Sequence, residues 1–138
     1  MAVITKLIEG EKPAFPYKGY GDLFVAEVPI DLDKLNPENG DRIALAPLAP
    51  GTLIVGCCVK MDKPAQGTGT ISATIGTEAE AASIHSGADL KQDNYQLQNN
   101  AVVVSAEDVV YMTMAISGDL DTKGQGRVKV AMIRFNDE

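Results

Sequence analysis

The chain contains no tryptophan and only one histidine, His85, among its 138 residues. Jelly-roll enzymes of the cupin type hold their catalytic metal with several histidines, so a single histidine excludes that kind of centre. We therefore predict that the protein holds no metal. His85 is expected to be a surface or loop residue rather than a ligand.

Cysteine is almost as scarce, because the only two, Cys57 and Cys58, are adjacent. Neighbouring residues of a strand point to opposite faces of the sheet, which argues against a disulfide between them. Free thiols indicate assembly in a reducing compartment. Because no basic residue closer than Lys60 is present to stabilise a thiolate, we expect both cysteines to act as packing residues.

Basic residues are outnumbered, since 12 Lys and Arg face 19 Asp and Glu and give a net charge of -7. Nucleic-acid binding requires clustered basic residues, and here they are scattered, so we predict no nucleic-acid partner. No apolar run approaches the ~18 residues of a membrane span. The N-terminal residues lack the features of a signal peptide, and we expect no membrane association.

Catalytic motifs are also missing from the sequence. There is no Gly-x-Ser-x-Gly motif, and the one histidine has no evident nucleophile partner. Residues 119–124 begin like a calcium loop but lack a third acidic ligand and the distal glutamate. The glycine-rich turn 67–70 precedes neither the lysine nor the helix of a phosphate loop. We therefore predict no cofactor and no enzymatic activity, with Glu78 and Glu80 forming a charged surface patch.

What the sequence does contain is a series of short apolar runs separated by turn residues. Roughly eight such runs without a long helical pattern predict an all-β fold, an antiparallel β-sandwich or jelly-roll-like single domain spanning residues 22–138. The clearest runs are residues 23–30, 42–48, 53–61, 70–75, 101–104, 109–116 and 127–135.

Three stretches between these runs are less regular. Residues 31–41 are predicted to form a loop or a short helical turn. Residues 78–84 have the composition of either a helical turn or a return strand. Residues 86–100 are polar, and we expect a loop that is anchored locally by Leu90, Tyr95 and Leu97.

The most apolar run, residues 53–61, is predicted to be the central strand. Strict alternation gives it one wholly apolar face made of Leu53, Val55, Cys57, Val59 and Met61. The opposite face becomes polar toward Lys60. In two other runs the same alternation predicts inward-facing residues, namely Ile71, Ala73 and Ile75, and Val128, Val130 and Met132.

Residues 1–21 differ in composition and are predicted to form an extended N-terminal arm. Between residues 12 and 21 the segment combines two prolines, two glycines and three aromatic residues. Proline removes backbone donors and biases the preceding residue toward extended conformations. Aromatic side chains are favoured interface anchors, so Phe15, Pro16, Tyr17 and Tyr20 are the predicted partner-binding residues.

One part of the sequence resembles a module of small structural proteins of tailed bacteriophages. It runs from APGTLIVG at residues 49–56, through Val59-Lys60, to ISATIGTEAE at residues 71–80. The pattern is a Pro-Gly-Thr turn, an apolar strand, a short loop, a second strand and a Gly-Thr-acidic ending. In this respect the chain is similar to capsid decoration, or cement, proteins.

The resemblance implies a β-sandwich or jelly-roll protein that binds the outer surface of the major capsid protein shell and stabilises it. It further implies a homotrimer at three-fold positions of the virion, assembled in the host cytoplasm. Three weak contacts on one trimer bind far more tightly than one. The aromatic arm would then clamp neighbouring capsid subunits.

Two other functions are compatible with an all-β chain. A carbohydrate- or receptor-binding module of a phage tail or fibre uses exposed aromatic residues on a sheet face, for which the sequence offers Tyr17, Tyr20, Tyr95 and Tyr111. The second is a small enzyme on a sandwich scaffold. The missing nucleophile–base pair counts against it.

Overall fold

The computed structural model describes residues 3–5 and 22–134, with side chains described from Phe24 onward. Within these residues there are twelve strands and one short helix. In chain order they are β1 Val3–Thr5, β2 Asp22–Asp31, α1 Leu32–Leu35, β3 Arg42–Leu48, β4 Thr52–Lys63, β5 Gln66–Gly67, β6 Thr70–Gly76, β7 His85–Asp89, β8 Gln96–Gln98, β9 Val102–Val104, β10 Asp108–Ser117, β11 Leu120–Thr122 and β12 Gln125–Arg134.

Most of the strands belong to two sheets. The front sheet has the order β2-β12-β4-β8, and β9 pairs with a different part of β4. The back sheet has the order β1-β3-β10-β6-β7. All neighbours are antiparallel except β1, which runs parallel to β3. A small third sheet pairs β5 with β11.

Connections along the chain repeatedly cross from one sheet to the other. The chain passes from β2 in the front sheet to β3 in the back sheet, then to β4 in front and β6 behind. Its last long crossing leads from β10 in the back sheet to β12 in the front sheet. The two antiparallel sheets joined by these crossings confirm the predicted antiparallel β-sandwich.

The core lies between the two sheets and is made mainly of inward-facing side chains of the long strands, together with residues of α1 and of the turns. Its largest fully buried side chains are Ile30, Leu32, Ile43, Leu45, Ile54, Met61, Ile71, Ile75, Ile84, Leu90, Met112 and Met114. The six residues predicted to face inward on residues 71–75 and 128–132 are all buried. Burial of each large side chain contributes about 1.5–3 kcal/mol to the free energy of folding. Alternation along the strands matters because it directs these side chains into the core.

The central strand β4 departs from strict alternation because it contains a β-bulge. Ala131 of β12 pairs with Gly56, but the next residue, Met132, pairs with Ile54. Val55 is therefore an extra residue on β4. An extra residue moves the side chains on one side of it to the opposite face of the sheet.

Because of the bulge, the prediction of one continuous apolar face on β4 is only partly correct. Cys57, Val59 and Met61 are buried as predicted. Leu53 and Val55, which were predicted to share that face, are half-buried instead. Ile54 has taken the core position and is fully buried.

The polar segments also differ from the predictions. Residues 78–84 form an irregular turn, neither helix nor strand, and Ile84 is buried in the core. The predicted loop 86–100 contains β8 and most of β7. Of its three predicted anchors, Leu90 is buried, whereas Tyr95 and Leu97 are exposed. The predicted short helical turn in residues 31–41 is confirmed as α1, which is capped by the Asp31 side chain.

Part of the predicted N-terminal arm is a strand. Residues Val3–Thr5 form β1 and extend the back sheet beside β3. The rest of the arm, including Phe15, Pro16, Tyr17 and Tyr20, lies outside the described residues.

Candidate interaction surface

His85 is buried in β7, so its prediction as a surface or loop residue is wrong. Its Nδ1 accepts a hydrogen bond from the Gly87 N–H at 3.2 Å, which leaves the proton on Nε2. Nε2 lies 3.0 Å from the Gln96 carbonyl and donates to it. Both ring nitrogens are therefore engaged, Nδ1 within β7 and Nε2 across to β8, and neither is directed at a ligand.

The cysteines occupy opposite faces of β4, as predicted, and both are free. Cys57 is buried in the core, and this burial, with a smaller effect of neighbouring Cys58, raises the pKa of its thiol from 9.0 to about 12. A thiol that stays protonated at neutral pH is a poor nucleophile and a poor metal ligand. Cys57 thus acts as a small packing residue. Cys58 is half-buried on the outer face of the front sheet.

Carboxylates do not assemble into a metal site in the part of the chain that is described. No group of three or more His, Cys, Asp or Glu side chains there is placed to hold an ion. Of the predicted charged surface patch, Glu78 and Glu80 are both exposed, and Glu78 pairs with Arg42 at 3.0 Å. Arg42 also stacks on the Tyr111 ring, 4.4 Å from its centroid. This pair ties the turn 77–83 to the back sheet.

The glycine-rich residues 67–69 are a structural connection, as predicted. Gly67 ends the short strand β5, and Lys91 donates from Nζ to the Gly67 carbonyl at 2.9 Å and the Gly69 carbonyl at 2.8 Å. The carbonyl groups of this loop are therefore held by a lysine of the same chain. No backbone arrangement here points toward a phosphate.

The outer face of the back sheet carries mainly small and hydroxyl side chains. Thr113 of β10 lies opposite Thr74 of β6, and Ala115 lies opposite Ser72. None of the exposed large hydrophobic residues of the described chain is on this sheet. Most of these side chains are half-buried, and this face shows no exposed apolar patch within the described residues.

The outer face of the front sheet is different, because one end of it is apolar. Leu53 of β4 lies between Ile133 of β12 and Val103 of β9, which gives a row across three strands. Val103 is 76% exposed. One row further along, Val25 of β2 lies opposite Ala131 and is 40% exposed. Val103 and Val25 are therefore open to solvent, whereas Leu53 and Ile133 are half-buried.

The other end of the same face is charged. Arg127 of β12 donates to Asp62 at 3.1 Å, and this hydrogen bond and the charge of Asp62 raise the pKa of the guanidinium. Glu27 of β2 lies 3.9 Å from Arg127 and 3.6 Å from Lys129. These side chains are about half exposed, so each ion pair contributes little to stability.

A recess of about 100 Å³ lies where the charged and apolar ends meet, and it is lined by Cys58, Lys60, Tyr95, Arg127 and Lys129. The Lys60 ammonium lies 5.6 Å from the centroid of the Tyr95 ring and donates to the Met61 carbonyl at 3.1 Å. Beside the recess, Leu97 of β8 lies opposite Cys58 and is 61% exposed. The recess thus combines cations, an aromatic ring and an apolar rim.

Sequence reasoning did not find this surface. Tyr95 and Leu97 were expected to anchor a loop, and Leu53 was expected to face the core. Exposure of an apolar residue has no sequence signal of its own, because the bulge and the pairing of β8 and β9 with β4 decide which face each residue occupies. The predicted partner-binding residues of the arm remain a prediction.

Within the described residues, no helix has the length and apolar character needed to cross a membrane. No family model matches the sequence, and no curated protein is similar to it. The fold, in contrast, is similar to chains in solved structures of bacteriophage capsids.

Three such structures illustrate the likeness. One is an acid-stable capsid of Helicobacter pylori bacteriophage KHP30, with a TM-score of 0.61 and 14% identity, covering 82% of this chain and 87% of that one. A chain of the Ralstonia phage GP4 capsid has a TM-score of 0.59 and 15% sequence identity, and the match covers 92% of each chain. A chain in the capsid asymmetric unit of cyanophage Pam1 has a TM-score of 0.57 and 18% identity, and the match covers 88% of this chain and 91% of that one. At these identities the likeness establishes a shared fold.

Proposed function

We propose that this protein is a bacteriophage capsid decoration protein. It binds the outer surface of the major capsid protein shell as a homotrimer at three-fold positions and stabilises the shell. The observation that carries the proposal is the likeness of the whole sandwich to chains of three phage capsids, with TM-scores of 0.57–0.61. The sequence module at residues 49–80 supports the same assignment.

The chemistry of the chain is compatible with a structural role. Its one histidine joins two strands, Cys57 packs in the core, and Arg42 neutralises Glu78. None of the described titratable groups is arranged as a nucleophile and base. We therefore propose that the protein has no enzymatic activity and that it is assembled in the host cytoplasm, where free thiols persist.

Capsids that lack the protein provide the direct test. Purified protein added to such capsids is expected to bind until a fixed copy number is reached and to raise the temperature at which the shells disrupt. The measurement is the disruption temperature by light scattering, together with the amount of protein that cosediments. Saturable binding without any rise in this temperature would contradict a stabilising role, and absence of binding would contradict decoration itself.

The aromatic arm is proposed to provide part of the capsid contact. The triple substitution Phe15→Ser, Tyr17→Ser and Tyr20→Ser leaves residues 3–5 in place and is expected to weaken cosedimentation with capsids by tenfold or more, as expected for loss of aromatic anchors. Lys18→Ala in the same segment is the matched control and should bind normally. Equal binding by both variants would exclude the arm from the interface.

A carbohydrate-binding module is the second candidate, and one observation favours it. Tyr95 is 72% exposed beside the recess on the front sheet, and exposed aromatic rings are common in sugar-binding sites. A glycan array tests this function directly. Saturable binding that Tyr95→Ala abolishes would favour it over decoration.

A further inference from the structure

The exposed large hydrophobic side chains of the described chain are concentrated on one sheet. They are Val25, Tyr95, Leu97 and Val103, and all of them lie on the front sheet or at the start of β8. Single exposed hydrophobic residues are normal on soluble proteins, but several gathered on one face beside a polar rim are a common mark of a contact with another protein. We call the apolar row, the recess and the adjacent Leu97 the front patch.

The charges of the front patch are not balanced within it. The two carboxylates that border it, Glu27 and Asp62, are already paired with Arg127 and Lys129. Lys60 takes part in none of the ion pairs seen in residues 22–134, and only the Met61 carbonyl and the Tyr95 ring contact its ammonium. A partner that buries the Lys60 ammonium has to compensate its charge, and a carboxylate does so best.

A second copy of this chain has the required chemistry. The whole chain carries 19 acidic and 12 basic residues. The surface outside the front patch therefore has, on average, more carboxylates than basic groups. We propose that the front patch is the docking surface for a second copy, which places a carboxylate from a different part of its surface at Lys60 and covers Leu97 and Val103.

The geometry of the charges determines the type of contact. A two-fold contact would place one front patch on another, and neither patch has an unpaired carboxylate to offer Lys60. The contact is therefore head-to-tail, with two different surfaces meeting. Repeated around an axis, such contacts close into a ring, which is how a trimer is built. The inference deepens the homotrimer of the proposed function by naming the surface that joins its subunits.

Sedimentation velocity of the purified full chain tests the proposal without any capsid. The wild type is expected to sediment as a trimer. The double substitution Leu97→Ser and Val103→Ser, and separately Lys60→Glu, should weaken assembly by roughly tenfold or more, because buried apolar contacts and desolvated charges dominate such interfaces. Both sites are on the surface, and urea unfolding of each variant verifies that the sandwich is intact.

Two matched controls accompany these variants. Lys63→Glu makes the same charge change on β4 but outside the recess, and Ala115→Ser changes an exposed residue on the back sheet. Both should sediment as the wild type does. A raised salt concentration should weaken assembly of the wild type more than that of a Lys60→Met variant, because only the former has the charge contact.

Three results would overturn the inference. They are a monomeric wild type, a wild-type dimer, and a trimer that survives both the Leu97/Val103 and the Lys60 substitutions. None of them depends on capsid binding. A monomer that still binds capsids would refute this inference alone, whereas a trimer assembled through the front patch that ignores capsids would refute only the decoration role.

Discussion

The side-chain amide of Gln96 pairs with the backbone of Asp89 as if it were a neighbouring strand. Its Oε1 accepts from the Asp89 N–H at 2.7 Å, and its Nε2 donates to the Asp89 carbonyl at 2.8 Å. Gln96 lies on β8 at the edge of the front sheet, and Asp89 ends β7 at the edge of the back sheet. A side chain therefore closes this edge of the sandwich, where no backbone ladder joins the sheets.

The closure continues along both strands. The Gln98 Oε1 accepts from the Ser86 N–H at 2.9 Å, and its Nε2 donates to the Ser86 hydroxyl at 2.8 Å. His85 donates to the Gln96 carbonyl between these two pairs. Unpaired edge strands invite association with other chains, and these side chains occupy edge groups that would otherwise be available.

Substitution of Gln96 tests this closure. Gln96→Glu has nearly the same shape but cannot donate to the Asp89 carbonyl, and Gln96→Ala loses both hydrogen bonds. We expect Gln96→Ala to lower the free energy of unfolding by about 1–2 kcal/mol, because each bond contributes about 0.5–1.5 kcal/mol. Urea unfolding measures the change. The exposed Gln92→Ala is the control, and a loss as large as that of Gln96→Ala would show that the paired amide has no special role.

The β-bulge in β4 predicts opposite results for two adjacent residues. Ile54→Ala should lower the free energy of unfolding by about 2–5 kcal/mol, because it leaves a cavity in the core. Leu53→Ala should cost much less, since its side chain is half-buried on the outer face. Uninterrupted alternation would give the reverse order, so thermal or urea unfolding of the two variants decides between the two arrangements.

The pKa of Cys57 predicts a loss of stability in alkaline solution. Its folded value of about 12 lies above its ordinary 9.0, so the protonated thiol favours the folded state. This contribution is complete below pH 9 and is lost as the pH rises toward 12, because the unfolded thiol ionises first. A difference of this size corresponds to at most about 4 kcal/mol.

The comparison with Cys57→Ser isolates this effect from other groups that titrate in the same range. At pH 7 the variant should be less stable than the wild type, because a hydroxyl replaces a buried thiol. Between pH 9 and pH 12 the gap in unfolding free energy should narrow by up to a few kcal/mol. Cys58→Ser is the control for loss of a thiol on the outer face. If the difference in unfolding free energy between the wild type and Cys57→Ser stayed constant from pH 9 to pH 12, the prediction would be contradicted.

Gly124 is expected to tolerate no side chain. Its φ is +92°, and a Cβ there would collide with the Lys63 carbonyl and approach the Ala65 N–H. Gly124→Ala should therefore destabilise the protein by about 1–3 kcal/mol or more through backbone strain and displacement of β4. Gly87→Ala is the matched control, since nothing lies within 4 Å of a Cβ at that position. Similar melting temperatures for both variants would refute this account.

Where apolar and polar residues alternate, the sequence was sufficient to predict the strands. Residues 42–48 were predicted to form a strand with the bounds that β3 has. The predicted run 70–75 is one residue shorter than β6 at one end, and the run 109–116 is one residue shorter than β10 at each end. The inward faces of β6 and β12 were also correct. Burial of apolar side chains drives these choices, and their period is visible in a single strand.

The edge strands β7 and β8 could not be predicted in the same way. They contain serine, glutamine and glycine, whose composition is that of a loop. Their extended form depends on hydrogen bonds between residues that lie 7 to 12 positions apart in the chain. His85 was predicted to be a surface residue for the same reason, because the Gln96 carbonyl that satisfies it in the buried position lies eleven residues away in the chain.

The sequence by itself determined the all-β class and the two packed sheets, because these follow from residue type and from a period of two along each strand. Only the tertiary structure decided which residues form the front patch. The bulge at Val55 turned Leu53 outward, and the pairing of β8 and β9 with β4 brought Leu97 and Val103 beside it. A surface assembled from separate strands depends on register, and register is a property of the whole sheet.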